Sequence, residues 1–490
     1  MHKDLREDAA DAAARVLDTN WTGRHTVPAT GLYPHQWSWD SAFIAIGTRH
    51  REPARARAEL VALLDAQWSD GRVPQIVYDV GRDDDYAPGP GFWRPERAAA
   101  GAAAESALPR PATSGLVQPP MHAWAAWLVH CADPAGSARE GFLAWVYPRL
   151  ARWHEYLHVR RAGGVGLPVT KHPWETGTDN SPLWDDALER VPPEARTPIQ
   201  RPDLQHAGAG ERPGSRDYRR YYRLAETYRD AGCADDVPIG FAMVCPLFSS
   251  VLAVSELALA RMAQSLPDAG GGQERGHGSR PDTARGVLPG PGGPGPSGTG
   301  DDTPSDDDGG TSSSLGSRAH EAAAARVIAA MDEHLWDEEL GLYVALDDTT
   351  GEQVRRATVN GLVPLLLAAS VRAGRAERML ATLTGAGFLG GGPFVPSTSR
   401  KDPAFDPALY WRGPAWFNMS WLLLRAVRAL GRDDLAARLR EHFAVAAPEG
   451  FPEYVDPDTG AGRGTCQFSW TAALTLDALL SNESDILPEP

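Results

Sequence analysis

Cysteine is scarce. The chain has four in 490 residues, Cys131, Cys233, Cys245 and Cys466, too scattered for a disulfide framework and with no C-x-x-C pair to suggest structural zinc. No metal and no cofactor are expected. Basic blocks are absent as well: 48 Lys and Arg stand against 64 Asp and Glu, for a net charge of −16. Neither nucleic acid nor an anionic membrane is therefore expected as a partner. No apolar run reaches the length of a membrane span. The opening Met1–Asp8 leads into an Ala-rich helical pattern without the apolar core of a signal peptide. These absences predict a cytoplasmic protein acting on a small molecule, and a homo-oligomer is compatible with all of them. Period-two alternation is rare too. Trp336–Leu346, with Gly341 in its middle, is the one stretch that reads as a hairpin.

What is present is helix. Apolar residues at helical spacing predict helices over Leu5–Asn20, Ser41–Thr48, Ala54–Gln67, Met121–Cys131, Gly141–Arg161, Arg216–Ala231, Val244–Gln264, Ala319–Leu335, Val359–Ala373, Ala376–Leu383, Gly413–Leu430, Asp433–Ala447 and Phe468–Leu480. In the Asp433 segment Leu435, Leu439 and Phe443 recur every four residues, with Arg, Glu and His between them. About a dozen helices joined by long loops rich in Trp, Asp and Gly predict an all-α toroid, inner and outer helices alternating, as a single domain over 1–490. Leu266–Ser317 is almost entirely Gly, Pro, Ser, Thr and Asp, with the acidic run Asp306-Asp307-Asp308. Such a segment cannot bury apolar surface and is expected to be a disordered insertion between two toroid helices. Arg94–Ser114, rich in Ala and Pro, reads as a lid or as a tolerated expansion.

The chemistry-bearing residues lie in the loops. Tyr33–Ser41 sets Trp37 and Trp39 beside Asp40, a platform on which a sugar can stack while a carboxylate takes its hydroxyls; a core Trp pair with Asp40 as a helix cap is the alternative. Gln75, Tyr78, Tyr86 and Gln118 are amides and phenols suited to reading hydroxyls. Trp174–Trp184 carries Glu175, Asp179, Asp185 and Asp186, with Gly177 allowing a sharp turn. Burial beside Trp would favour a protonated, acid-competent Asp179. Arg212, followed by Tyr218, offers forked donors for a substrate carboxylate or phosphate, whereas Arg216, Arg219, Arg220 and Arg223 read as a solvated helix face. Tyr410-Trp411-Arg412-Gly413-Pro414-Ala415-Trp416 could line a cleft or pack in the core. Glu453 stands in an extended loop beside Tyr454 and Asp456, ahead of Gln467 and Trp470. Paired carboxylates next to flat apolar faces are what glycoside hydrolysis needs.

Four motifs in this order are more specific than their members: Gln36-Trp37-Ser38-Trp39-Asp40, Trp174-Glu175-Thr176-Gly177-Thr178-Asp179-Asn180-Ser181-Pro182, Tyr410–Trp416 and Phe468-Ser469-Trp470-Thr471-Ala472. From about Thr22 to Leu480, leaving out Leu266–Ser317, the chain resembles glycoside hydrolase family 63 and its relatives, nearest the bacterial mannosylglycerate and glucosylglycerate hydrolases. The resemblance implies an (α/α)6 barrel and hydrolysis of an α-linked sugar with inversion. It implies Asp179 as general acid and Glu453 as general base, roles that require about 6.5–9.5 Å between the carboxyls. Tyr33, Trp37, Trp39, Asp40, Gln118, Trp174, Gly177, Trp411, Gly413 and Trp416 would line the sugar subsite, with Arg212, Tyr218 and Tyr86 holding a glycerate carboxylate. Gly214-Ser215-Arg216 departs from the pattern, where a small polar residue and Asp are expected. The reading leans to glucosylglycerate over its mannosyl epimer because the Ala-, Arg- and Gly-rich composition suits a GC-rich bacterium. An oligosaccharide α-glucosidase or trehalase-like enzyme is the rival of the same class. A sugar epimerase or isomerase is a rival of another class, but the 14 His do not gather in the Trp-rich loops, His35 apart. A non-catalytic sugar-binding protein would have no need of both Asp179 and Glu453.

Overall fold

A computed structural model of the chain describes residues 3–82, 85–93, 111–205, 207–267 and 312–481. The principal helices are α1 (Lys3–Thr19), α2 (Ser38–Thr48), α3 (Pro53–Leu64), α4 (His122–Ala132), α5 (Phe142–Arg160), α6 (Ser215–Asp230), α7 (Pro246–Ser265), α8 (Ser312–His334), α9 (Arg375–Thr384), α10 (Phe417–Ala429), α11 (Asp433–Ala444) and α12 (Ser469–Leu480). A 3-10 helix, Val359–Leu367, stands between α8 and α9.

Packing sorts these helices into two layers. The inner ring runs α2, α4, α7, the 3-10 segment, α10 and α12, each against the next, and α12 returns to α2. Every residue of α2 is buried, as a helix surrounded by other helices requires. Outside it, α3 backs α2, α5 backs α4, α8 backs α7, α9 backs the 3-10 segment and α11 backs α10. The sixth outer position belongs to α1, which packs on α12 and closes the circuit. This is an (α/α)6 barrel. The helix α6 belongs to neither layer; it lies in the long connection between α5 and α7. Among the described residues α7 alone is long and apolar enough to cross a membrane, contrary to the expectation from the sequence, but 94% of that window is buried in the barrel.

Most predicted helices differ by three residues or fewer at either end, but three differ by more, and one of these, α8, begins at Ser312, seven residues before the predicted Ala319. The Val359–Ala373 helix is a 3-10 helix that stops at Leu367, because Pro364 inside it has no N–H to give to an α-helical ladder. The helix expected from Gly413 starts at Phe417, since Ala415 and Trp416 are held in a strand.

Short strands are the main addition to the expected architecture. They are β1 (Gln36–Trp37), β2 (Ile76–Val77), β3 (Val169–Thr170), β4 (Met243–Val244), β5 (Trp336–Asp337), β6 (Leu342–Tyr343), β7 (Ala345–Asp347), β8 (Glu352–Val354), β9 (Ala415–Trp416), β10 (Tyr454–Val455) and β11 (Gly462–Arg463). All pairing is antiparallel: β1 with β2, β3-β4-β7-β8 in that order, β11-β10-β9, and the predicted hairpin β5-β6 around Gly341. Strands of two or three residues show no period in a sequence. Several run straight into inner helices, β1 into α2, β4 into α7 and β9 into α10, so they fix the loops at the N-terminal end of the ring.

Residues 268–311 of the predicted insertion and 94–110 of the predicted lid lie outside the described residues. The insertion joins the inner and outer helices of one pair, and α8 begins at Ser312, inside the bounds expected from composition. Thr113 and Ser114 are anchored against β2.

Candidate active site

At the N-terminal end of the inner ring lies a cleft. Its walls come from residues in or just ahead of the first turns of α2, α4, α10 and α12, and from the connections around β2, β3, β10 and α6. Of the residues singled out in the sequence, it gathers Tyr33, Trp37, Trp39, Asp40, Gln75, Tyr86, Gln118, Trp174, Gly177, Asp179, Arg212, Tyr218, Tyr410, Trp411, Trp416, Glu453 and Trp470.

The loop carrying Asp179 is built to be rigid. Gly177 has φ +73, and a Cβ there would come within 2.5 Å of the Trp39 ring, so only glycine allows both the turn and the close approach. Four positions before Asp179, Glu175 is fully buried; it accepts Arg161 through both oxygens at 2.7 Å and also the amides of Val117 and Lys171. Thr178 accepts from Asn360, its carbonyl takes the Trp184 indole N–H at 2.8 Å, and Asn180 accepts the amide of Trp411. Tyr221 donates to the carbonyl of Asp179 itself at 3.1 Å. Its carboxyl, by contrast, receives no side-chain donor among the described residues. Enclosure by the cleft walls penalises its ionised form, an effect to which Glu453 adds and which Arg212 opposes, and its pKa is pushed up to about 7.

Glu453 has the opposite surroundings. It directly precedes β10, its amide bonds to the Thr465 carbonyl at 2.8 Å, and a Cβ on Gly464 would press on its Oε2 at 2.5 Å. Arg212 donates to Oε2 at 2.5 Å, and both side chains are 2% exposed. Tyr33 donates to Oε1 at 3.0 Å and Tyr410 at 3.4 Å, while Arg212 also donates to the Tyr33 oxygen at 3.0 Å. Arg212 lies over the Tyr410 ring, 4.5 Å from its centre. Among the described residues, three of the four non-glycine residues with positive φ, Tyr410, Phe451 and Gln467, flank this side of the cleft, which locates backbone strain at the site.

Asp40 is a third buried carboxyl. It sits in the first turn of α2 and does not cap the helix, whose N-cap is Trp37. Burial, with Glu453 and Asp179 nearby, holds its pKa well above the usual carboxylate range. Flat surfaces surround these groups: Trp411 stacks on Trp416 at 3.8 Å, Tyr454 lies against the other side of that pair, and Trp39 meets Trp470 edge-on. Tyr218 donates to Asp203, which Arg201 grips through both oxygens at 2.8 Å.

Three of the residues singled out in the sequence are not in the cleft. Gly413 is pressed against the Asp406 carbonyl, where a Cβ would lie 2.2 Å away, so it serves the chain's close approach. Gln467 is exposed; its positive φ turns it outward while its carbonyl takes a bond from Asn20. Tyr78 is buried behind the wall, donating to the Pro88 carbonyl. The remaining acids hold structure: Asp185 pairs with Arg412, Asp456 accepts two turn amides and Arg463, and Asp186 is exposed in a short helix. Sequence reading missed Pro28, Leu32, Ala87, Gln200, Pro202, Asp203 and Phe468. Of these, Phe468 stood within a quoted motif, and Asp203, two residues from Arg201, had a charge pattern that could have been noticed.

A family model described as the mannosylglycerate hydrolase MGH1-like glycoside hydrolase domain matches residues 33–279 and 311–471. The chain belongs to this family. The break in the match falls within the compositional insertion. A mannosylglycerate hydrolase of Rubrobacter radiotolerans is 37% identical over 97% of both chains. A glucosylglycerate hydrolase of Mycolicibacterium hassiacum is 32% identical over 96% of this chain and 97% of its own length. A crystal structure of the GH63 mannosylglycerate hydrolase of Thermus thermophilus, in complex with Tris and D-glycerate, superposes with a TM-score of 0.77 at 33% identity. The match covers 96% of this chain and 99% of that one. This glycoside hydrolase thus places its carboxyls and tryptophans in one cleft of a barrel that matches the Thermus thermophilus structure over 96% of the chain.

Proposed function

We propose that this glycoside hydrolase cleaves an α-hexosyl glycerate, in which the sugar is glucose or mannose, by a single displacement with inversion. The observation that carries the reading is the opposed surroundings of two carboxyls in one cleft. Asp179, with its pKa pushed up to about 7, keeps the proton an acid must give. Glu453 lies in the same cleft and accepts bonds from Arg212, Tyr33 and Tyr410, the placement the base requires. As the glycosidic C–O bond breaks, its oxygen takes the Asp179 proton. Water adds to the anomeric carbon from the other face and gives its proton to Glu453. Trp37, Trp39, Trp174, Trp411, Trp416 and Trp470 offer the sugar apolar faces, with Tyr33, Asp40, Gln75 and Gln118 as hydroxyl readers. Arg212, Tyr86 and Tyr218 would receive the glycerate carboxylate. The lean to glucosylglycerate rested on composition; the relative that shares more sequence is named for mannosylglycerate, so both epimers belong in the assay. Four free cysteines, two of them exposed, suit a reducing cytoplasm.

Release of reducing sugar from glucosylglycerate, mannosylglycerate, trehalose and maltose tests the reading. Turnover of either glycerate substrate well above the two disaccharides is expected. Preference for trehalose or maltose would instead establish the neutral-aglycone rival.

A further inference from the structure

Arg212, proposed above as the aglycone's partner, already has an occupant in this structure. Its Nη2 is on Glu453 Oε2 and its Nη1 on Tyr33, and Tyr33 in turn occupies Glu453 Oε1. With Tyr410 and the Thr465 amide at 3.4 Å, both oxygens of Glu453 are engaged in the ligand-free cleft. A base needs a lone pair turned toward water, and here both oxygens are turned toward donors of the protein. The clamp is also desolvated on both sides, where a charge pair is at its strongest and a competing anion has most effect. Arg212 keeps a spare donor: its Nε is buried with no hydrogen-bond partner among the described residues. Its loop is docked on the hairpin that carries Glu453, since Glu211 accepts the Gly464 amide at 3.2 Å and the Arg463 guanidinium at 3.5 Å. With the loop so anchored, a shift of the cation would fall to the Arg212 side chain.

We propose that Arg212 makes the aglycone's carboxylate an activator of the base: ligand-free, Arg212 holds Glu453, and an anionic aglycone draws the guanidinium away so that Glu453 becomes free to take a proton from water. The inference rests on the hexosyl glycerate reading. It makes the choice of a charged aglycone an effect on turnover as well as on binding, since a neutral aglycone leaves the base clamped.

The test separates the two halves of the substrate. An α-mannosyl or α-glucosyl fluoride fills the sugar subsite, leaves the aglycone region empty and needs only the base. In the wild-type enzyme, free D-glycerate added to the fluoride should raise kcat about 10-fold, within the usual range of coupling between two ligands. Arg212→Gln should lose that stimulation, so that its rate on the fluoride is the same with and without glycerate, while its kcat on hexosyl glycerate falls. Glycerate that only inhibits the wild-type enzyme, or that still stimulates Arg212→Gln, overturns the proposal. Should the glutamine variant not fold, the wild-type arm decides alone, and Arg212→Lys, which keeps charge but not the fork, should show weakened stimulation. A wild-type enzyme that cleaves neither hexosyl glycerate sinks the functional reading; one that cleaves them but shows no glycerate stimulation of the fluoride sinks only the handover.

Discussion

The two acidic loops of the cleft are built on opposite plans. The Trp174–Trp184 loop spends its hydrogen bonds on its backbone and on Glu175, and leaves the Asp179 carboxyl without a side-chain donor among the described residues. The Phe451–Asp456 loop crowds Glu453 with a guanidinium and two phenols. Both carboxyls are hemmed in by aromatic rings, so aromatic surroundings alone do not decide the role. What separates them is which group received the donors, and the proposed division into acid and base rests on that difference.

Exchanging the chemistry of either loop should break the contrast. The largest effect is expected at Asp179: Asp179→Asn should lower kcat on hexosyl glycerate by ~10^3-fold with the fold intact, as loss of a general acid does. Steady-state kinetics beside a thermal melt checks this, and near-normal turnover would remove Asp179 from the reaction. Glu453→Gln should cost ~10^2-fold or more in kcat, measured in the same assay; an unchanged rate would leave the base unassigned. Four residues before Asp179 a carboxyl of another kind provides the control. Glu175→Gln breaks a buried bidentate pair and should cost about 3 kcal/mol of stability in denaturant unfolding.

The smallest effects come from pH. With an Asp179 pKa of about 7, kcat/KM for hexosyl glycerate should fall as pH rises through about 7, because the acid then loses its proton. A profile flat from pH 6 to 9 would contradict the assignment. The same shift has a stability sign. A carboxyl whose folded pKa is raised gives its full stabilisation below its unfolded pKa and loses it as pH rises through the folded one. Asp179→Asn should therefore be more stable than wild type above pH 7, by about 1–2 kcal/mol once access of solvent to the cleft is allowed for, and the gain should shrink toward pH 4.

Much of this was readable in the chain. Helix bounds followed from apolar spacing, as with Leu435, Leu439 and Phe443 along α11. Asp179 and Glu453 stood out through neighbours that the structure also uses, Gly177 against Trp39 above all. What escaped depends on distant partners. The strands β1, β9 and β10 are two residues long and exist only because another loop lies beside them. Asp203 reaches the cleft because Arg201 and Tyr218 hold it there. Gly464 matters through a clash that only the Glu453 carboxylate reveals. Gln467 was misplaced because neighbouring a motif says nothing about the sign of φ.

The seal between α1 and α12 has a consequence for how the molecule can be cut. Because the first and last helices of the barrel are partners, the order in which the chain visits the six pairs is arbitrary to the finished ring. A permuted gene that begins at Ser312, joins residue 481 to residue 3 through a flexible linker and ends at residue 267 would dispense with the Gly- and Pro-rich segment and interrupt no helix. Its α7 and α8 would then meet as two chain ends, as α12 and α1 do now.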